Sequence, residues 1–381
     1  MLRKFLLAAV LVISSGSVPT QAQDTIKIGG LFETSGFLAM LGNQGLEGAT
    51  LAVEQINAGG GILGKKIEFI NINTESDETK AVIAAKRLIE REKVVVLIGA
   101  MNSGSTFAVI DTIQQAKIPT VSNGASRAIV MPPEKKAWVF LAPLTDALVI
   151  EVIIDHMKKN GFSKIALVNS DSGFATSGRG QWERLAPQNG INIVLQQTFG
   201  NNDADMTPQL TNVRASDAQA TVIWTTGKSL SILALNYRQL GIKLPLYYSH
   251  GASDPNLIKL AGDAANGIIF PTSKIAVAEE LPDSDLQKKV IRKFVADFKA
   301  KYQREPATFA GNGYDSVMLL AGAIRRAGSL QADKIRDALE STKNHAGVTA
   351  IYTYSPTDHF GAQPSSVLMH AIRDGKIQLL K

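Results

Sequence analysis

Val95-Val96-Leu97-Ile98-Gly99, followed after two residues by Asn102-Ser103-Gly104-Ser105-Thr106, is an apolar, β-rich stretch that passes into small hydroxyl and amide residues. The apolar run predicts a buried strand, and the Asn/Ser cluster behind it predicts the start of a helix. Pro119-Thr120-Val121-Ser122 with Asn123-Gly124-Ala125-Ser126 repeats that design one unit later. Working outward, similar strands are predicted over 26–32, 67–72, 165–169, 191–196 and 220–225. Between them lie helical patterns such as Ala81, Ala84, Ala85, Leu88, Ile89 and, later, Ile291, Phe294, Val295, Phe298, Tyr302. Strands alternating with one-faced helices predict an α/β protein with mostly parallel sheet and helices on both faces.

Two such runs occur, from about 24 to 143 and from about 145 to 271, and one sheet of that many strands would be unusual. Two lobes fit better. Beyond Pro271 come helical patterns over 285–302 and 313–328, a Tyr352-Thr353-Tyr354 run, and a strand pair over 371–379 around Asp374-Gly375. These tail elements complete both lobes, which gives lobe 1 as 24–143 plus 274–350 and lobe 2 as 145–271 plus 354–381.

At the N-terminus, Arg3 and Lys4 precede the apolar run 5–13, and small and polar residues follow to Thr20-Gln21-Ala22. That is the pattern of a secretory signal peptide over 1–22, cut after Ala22. The run is far shorter than the roughly 20 residues needed to span a bilayer. With no cysteine in the chain, disulfides, thiolate metal sites and a lipid-bearing cysteine are all excluded. Cleavage leaves roughly 360 residues, enough for two cores without covalent staples.

The net charge of +6 is spread thinly and forms no basic block of the kind that binds nucleic acid. Gly59-Gly60-Gly61-Ile62-Leu63-Gly64 satisfies G-x-G-x-x-G, yet it follows a helix and precedes a strand, the reverse of a dinucleotide site. It reads as a helix end and turn. The histidines at 156, 250, 345, 359 and 370 lack metal-ligand spacing, and no nucleophile motif occurs. No cofactor, metal or catalytic residue is expected.

Loops at the C-terminal ends of parallel strands are where open α/β sheets bind ligands. Free N–H groups at helix starts, helped by Ser hydroxyls and by Asn102, suit a carboxylate. Each of Ser103, Ser105 and Ser126 also fits an ordinary helix cap, so both readings stand. Phe37, Phe174 and His250 follow predicted strands and are placed to wall the cleft, whereas Trp224 sits within an apolar strand and reads as core.

Ile26-Lys27-Ile28-Gly29, Gly48-Ala49, Ile56-Asn57, Gly59-Gly60-Gly61-Ile62, Gly64-Lys65, Leu97-Ile98-Gly99, Tyr237-Arg238-Gln239-Leu240-Gly241, 260–267 and Gly313-Tyr314-Asp315 occur in the order of one family. Over the whole mature chain the sequence resembles the leucine/isoleucine/valine-binding proteins, the type I periplasmic receptors of branched-chain amino-acid ABC importers. The resemblance implies two Rossmann-like lobes joined by three hinge crossovers, a periplasmic location and an inner-membrane permease as partner. By motif position it implies that Ser103, Gly124 and Ser126 receive a ligand carboxylate, that Asp146 lies near the ligand amine and that Phe174 covers the ligand.

One departure bears on the ligand. Amino-acid binders of that family place an acidic residue after the strand ending Tyr247-Tyr248, where this chain has His250. An ammonium deprived of that partner forfeits about 1.5–3 kcal/mol, a factor of about ten to more than a hundred. Lys228, after the strand over 220–225, adds a second cation near the cleft. Both changes suit an acid without an amine, closer to the branch that takes up aromatic acids. The alternatives are an amino acid held by Asp146 alone and, more remotely, a ligand-sensing regulator or a hydrolase.

Overall fold

The computed structural model describes residues 25–380, so the predicted signal peptide over 1–22 lies outside the described residues. The first half of the chain runs β1 (Ile26–Phe32), α1 (Ala39–Ala58), β2 (Ile67–Asn73), α2 (Glu78–Glu90), β3 (Val96–Gly99), α3 (Ser103–Ala116), β4 (Thr120–Ser122) and β5 (Val139–Leu141). Their five strands form one wholly parallel sheet in the order β2-β1-β3-β4-β5. A second alternation follows: α4 (Asp146–Lys159), β6 (Lys164–Ser170), α5 (Gly173–Gln188), β7 (Asn192–Phe199), α6 (Thr207–Ala215), β8 (Ala220–Trp224), α7 (Ser229–Gln239), β9 (Leu246–Tyr248), α8 (Pro255–Ala261) and β10 (Ile268–Thr272).

The chain then returns to the first lobe as α9 (Lys288–Tyr302), α10 (Thr308–Ala327) and α11 (Ala332–Glu340), followed by the short pair β11 (His345–Ala346) and β12 (Ile351–Tyr352). It ends in the second lobe as β13 (Leu368–Arg373) and β14 (Lys376–Leu379). The second sheet has seven strands, ordered β14-β13-β10-β9-β8-β6-β7, parallel except for this final hairpin. Asp374 (φ 51°) and Gly375 (φ 68°) close the hairpin, a left-handed pair that Asp-Gly adopts cheaply. Three crossings therefore join the lobes: β5 to α4, β10 to α9, and β12 to β13.

Packing explains the layers. Leu31, Leu88, Leu97, Val109 and Ile113 fill one face of the first sheet, and Ile28, Ile98, Val53, Leu320 and Ile324 the other. The second lobe buries Val168, Ile223, Leu233, Tyr237 and Phe270. Gly60 and Gly61 end α1 at φ 100° and 86°, and a Cβ on Gly61 would stand 2.0 Å from the Lys65 carbonyl. The glycine run is thus a turn, as its order of elements predicts.

Several boundaries differ from the sequence reading. The second hydroxyl cluster opens only a single turn of 3-10 helix, Arg127–Ile129, where a full helix was predicted. Pro132 and Pro133 follow and supply no amide hydrogens for continuing it. Helix α10 begins at Thr308 rather than 313.

Candidate functional site

Between the lobes, at the C-terminal ends of β3, β4, β8 and β9, lies a cavity. Lobe 1 supplies Leu41 from α1, Met101, Asn102 and Ser103 at the start of α3, Asn123 and Ala125 after β4, and Thr308, Phe309 and Asn312 from α10. Pro143 and Leu144 come from the first crossing, while lobe 2 gives Phe174, Thr226, His250, Gly251 and Ser253. Among the described residues lining it there is no Asp, Glu, Lys or Arg. A second hollow, at the mouth, shares Asn102, Ser103, Phe174 and Thr226 and adds Phe37, which is partly exposed.

Helix α3 is capped by Asn102, whose Oδ1 accepts from the Ser105 amide at 2.8 Å, so neither Ser103 nor Ser105 is the cap. That leaves the buried Ser103 hydroxyl on the cavity wall, where it accepts from the Ser126 amide at 3.2 Å. Behind Asn102 stands Glu33, immediately after β1. Its Oε1 accepts from Asn102 Nδ2 at 2.6 Å, and burial pushes its carboxyl up to about 7. Glu33 escaped the sequence reading, although a carboxylate directly following an apolar strand was the available signal.

On the opposite wall, Phe174 stacks on Trp224 with ring centroids 5.7 Å apart, and His250 meets Phe174 edge-on at 5.4 Å. Trp224 is core, as predicted, and backs both residues. Burial among these rings pushes His250 down to about 4, so it faces the cavity as a neutral imidazole. Its Nδ1 is buried without a hydrogen-bond partner.

The remaining predicted residues stand elsewhere. Gly124 turns its amide to Ser122 Oγ at 3.0 Å and its Cα toward Ser103 and Ile129. Ser126 caps the short turn through the Ala128 amide (3.2 Å) and bonds Ser177 across the cleft. Asp146 is fully buried. Its Oδ1 accepts from the Arg127 and Ala147 amides at 3.0 and 2.7 Å, and its Oδ2 from Ser177 Oγ at 2.6 Å. Both oxygens are engaged away from the cavity. Lys228 is exposed at the head of α7 and does not line the wall, so the expected second cation is missing there. The nearest acid after β9, Asp254, caps α8 through the Asn256 amide and accepts from Gln44 Nε2 across the lobes.

Two sheets joined by three crossings around an interlobe cavity define the architecture of a two-lobed solute-binding receptor. The chain matches the periplasmic binding protein family over residues 25–376 and belongs to that family. It is 25% identical over 387 aligned residues to Leu/Ile/Val-binding protein homolog 7 of Brucella abortus, covering 99% of this chain and 96% of that one. Among solved structures it resembles an extracellular ligand-binding receptor from Rhodopseudomonas palustris HaA2, with TM-score 0.87, 28% identity and coverage of 94% and 100%. It also resembles the branched-chain amino acid transporter substrate binding protein LivJ from Streptococcus pneumoniae, in complex with isoleucine, with TM-score 0.82, 27% identity and coverage of 93% and 98%. No helix among the described residues is long and apolar enough to cross a membrane.

Proposed function

We propose that this receptor, exported through its signal peptide, closes on a small hydrophobic or aromatic carboxylate without an ammonium group and delivers it to an ABC permease. The lobes divide near 143–145, 271–274 and 350–354, and the ligand lies between them. One observation carries the reading: the cavity wall holds a helix N-terminus and a neutral imidazole but no side-chain charge of either sign. A carboxylate finds compensation in the α3 amides and the Ser103 hydroxyl. An ammonium finds no anion, and burying it unpaired costs several kcal/mol. Phe174, Phe309, Leu41 and Leu144 offer a ring or branched chain the apolar contact it needs.

The competing ligand is a branched-chain amino acid, favoured by the likeness to the isoleucine-bound receptor. Calorimetric titration of the purified protein with benzoate, cinnamate, leucine and isoleucine separates the two. Binding of the aromatic acids with a weak or absent leucine response is expected; tight leucine binding with no response to the acids overturns the proposal. Replacing His250 with Glu puts an anion into the wall and shifts preference toward the amino acids by about tenfold or more. If preference does not move, His250 lies beyond the ligand's reach.

A further inference from the structure

Asn123 and Asn312 both line the lobe 1 side of the cavity, one following β4 and the other in the second turn of α10. Ser316 Oγ ties them together, 2.8 Å from Asn123 Oδ1 and 2.8 Å from the Asn312 carbonyl. Each asparagine is 97% buried, being 3% exposed, yet Asn123 Nδ2 and Asn312 Oδ1 have no hydrogen-bond partner in the protein. Buried amides are almost always satisfied, so a donor and an acceptor left open on one cavity wall point to a group that the ligand brings.

The chemistry of that group follows from the pair. A carboxylate offers only acceptors and cannot satisfy Asn312 Oδ1. An ammonium offers only donors, brings a charge this wall does not balance and leaves Asn123 Nδ2 open. A hydroxyl does both, accepting from Asn123 and donating to Asn312. Turning both amides end for end exchanges donor and acceptor between the two tips, and a hydroxyl serves that arrangement as well. Resting on the carboxylate reading above, we infer that the natural ligand is a hydroxylated acid whose hydroxyl seats between Asn123 and Asn312, and that this pair sets the specificity.

The experiment compares matched acids on the full mature protein: benzoate against its 2-, 3- and 4-hydroxy isomers, and cinnamate against 4-hydroxycinnamate. Titrations use wild type, Asn312→Leu and Asn312→Ala, with ligand-free melting recorded for each. Wild type is expected to bind at least one hydroxylated isomer about tenfold or more tighter than its plain partner. Asn312→Leu, close in volume and without the open acceptor, loses that ratio while still binding the plain acid. Its melting temperature holds or rises, which a merely structural asparagine would not allow. Should the leucine variant fail to fold, Asn312→Ala reads the same ratio. Equal binding of plain and hydroxylated acids by wild type overturns this inference and leaves the carboxylate reading intact. A hydroxyl preference that survives both variants removes Asn312 from the role. Binding of leucine with no acid of either kind overturns both readings.

Discussion

Glu33 is the residue whose ionisation the site is least able to tolerate. Its carboxyl is wholly buried, one oxygen holds Asn102 and the other has no partner, and burial raises its titration from 4.5 to about 7. The folded chain therefore keeps a proton that the unfolded chain releases at lower pH. Stability is highest below about 4.5 as far as this group is concerned, falls as pH rises from 4.5 to 7, and stays low above. Glu33→Gln keeps the acceptor for Asn102 and removes the titration. Between pH 5 and pH 8 the variant should gain up to about 3 kcal/mol relative to wild type, read by urea unfolding at both pH values. Asp315, raised to about 6, titrates in both proteins and cancels in the difference. Parallel pH profiles would show that Glu33 is ionised in the folded state. At this scale Asn102, Ser103, Phe174 and His250 were legible, because each follows an apolar strand on a loop. Glu33 and Asn123 follow strands too, but the acid reads as a solvated loop residue until its burial is seen. Asn123 was read only as the first residue of the cluster that opens a helix.

Helix α10 shows why element boundaries escaped the pattern. Gly311-Asn312-Gly313 dilutes the helical signal, so the sequence places the start at 313 and leaves Thr308, Phe309 and Asn312 outside any element. Close packing overrides that weak propensity. A Cβ on Gly313 would stand 1.9 Å from the Gly45 carbonyl, and one on Gly48 would stand 1.8 Å from the Ala310 carbonyl. The two helices touch backbone to backbone, and this contact brings the first turns of α10 to the cavity. Gly48→Ala should improve intrinsic helix propensity by about 1 kcal/mol yet destabilise the protein by about 1–3 kcal/mol net, because the helices must separate. Chemical denaturation reads the loss, and weaker ligand binding should accompany it as Phe309 and Asn312 move back. A stabilised variant would mean that the crossing is loose enough to admit a methyl group. The short strand β5 belongs to the same lesson: three residues carry no period, and only its neighbours in the sheet define it.

Across the whole molecule, the two lobes meet at their loop ends while the crossings stay tied together. Tyr352 and Tyr354 donate to the carbonyls of Ala142 and Leu141 at 2.7 and 2.6 Å, so the first and third crossings move as a unit. Away from these crossings, Gln44 reaches Asp254, Ser126 reaches Ser177, and the start of α5 presses on the start of α3. That last contact is close because Gly173 has no side chain: a Cβ there would lie 2.9 Å from Gly104 Cα and 3.0 Å from its nitrogen. Since Ser103 and Phe174 adjoin this contact, closure on the proposed ligand would bring the amides of α3 and the ring of Phe174 onto it together. Gly173→Leu should prop the lobes apart without touching either core. Its ligand-free melting temperature should stay within about 2 °C of wild type, while affinity for the acids that wild type binds falls about tenfold or more, because contacts from only one lobe remain. Small-angle scattering gives an independent reading, with wild type becoming more compact on ligand addition and the variant keeping its ligand-free radius of gyration. Wild-type affinity in Gly173→Leu would mean that the ligand is held by one lobe alone, and that the contact between α3 and α5 plays no part in capture.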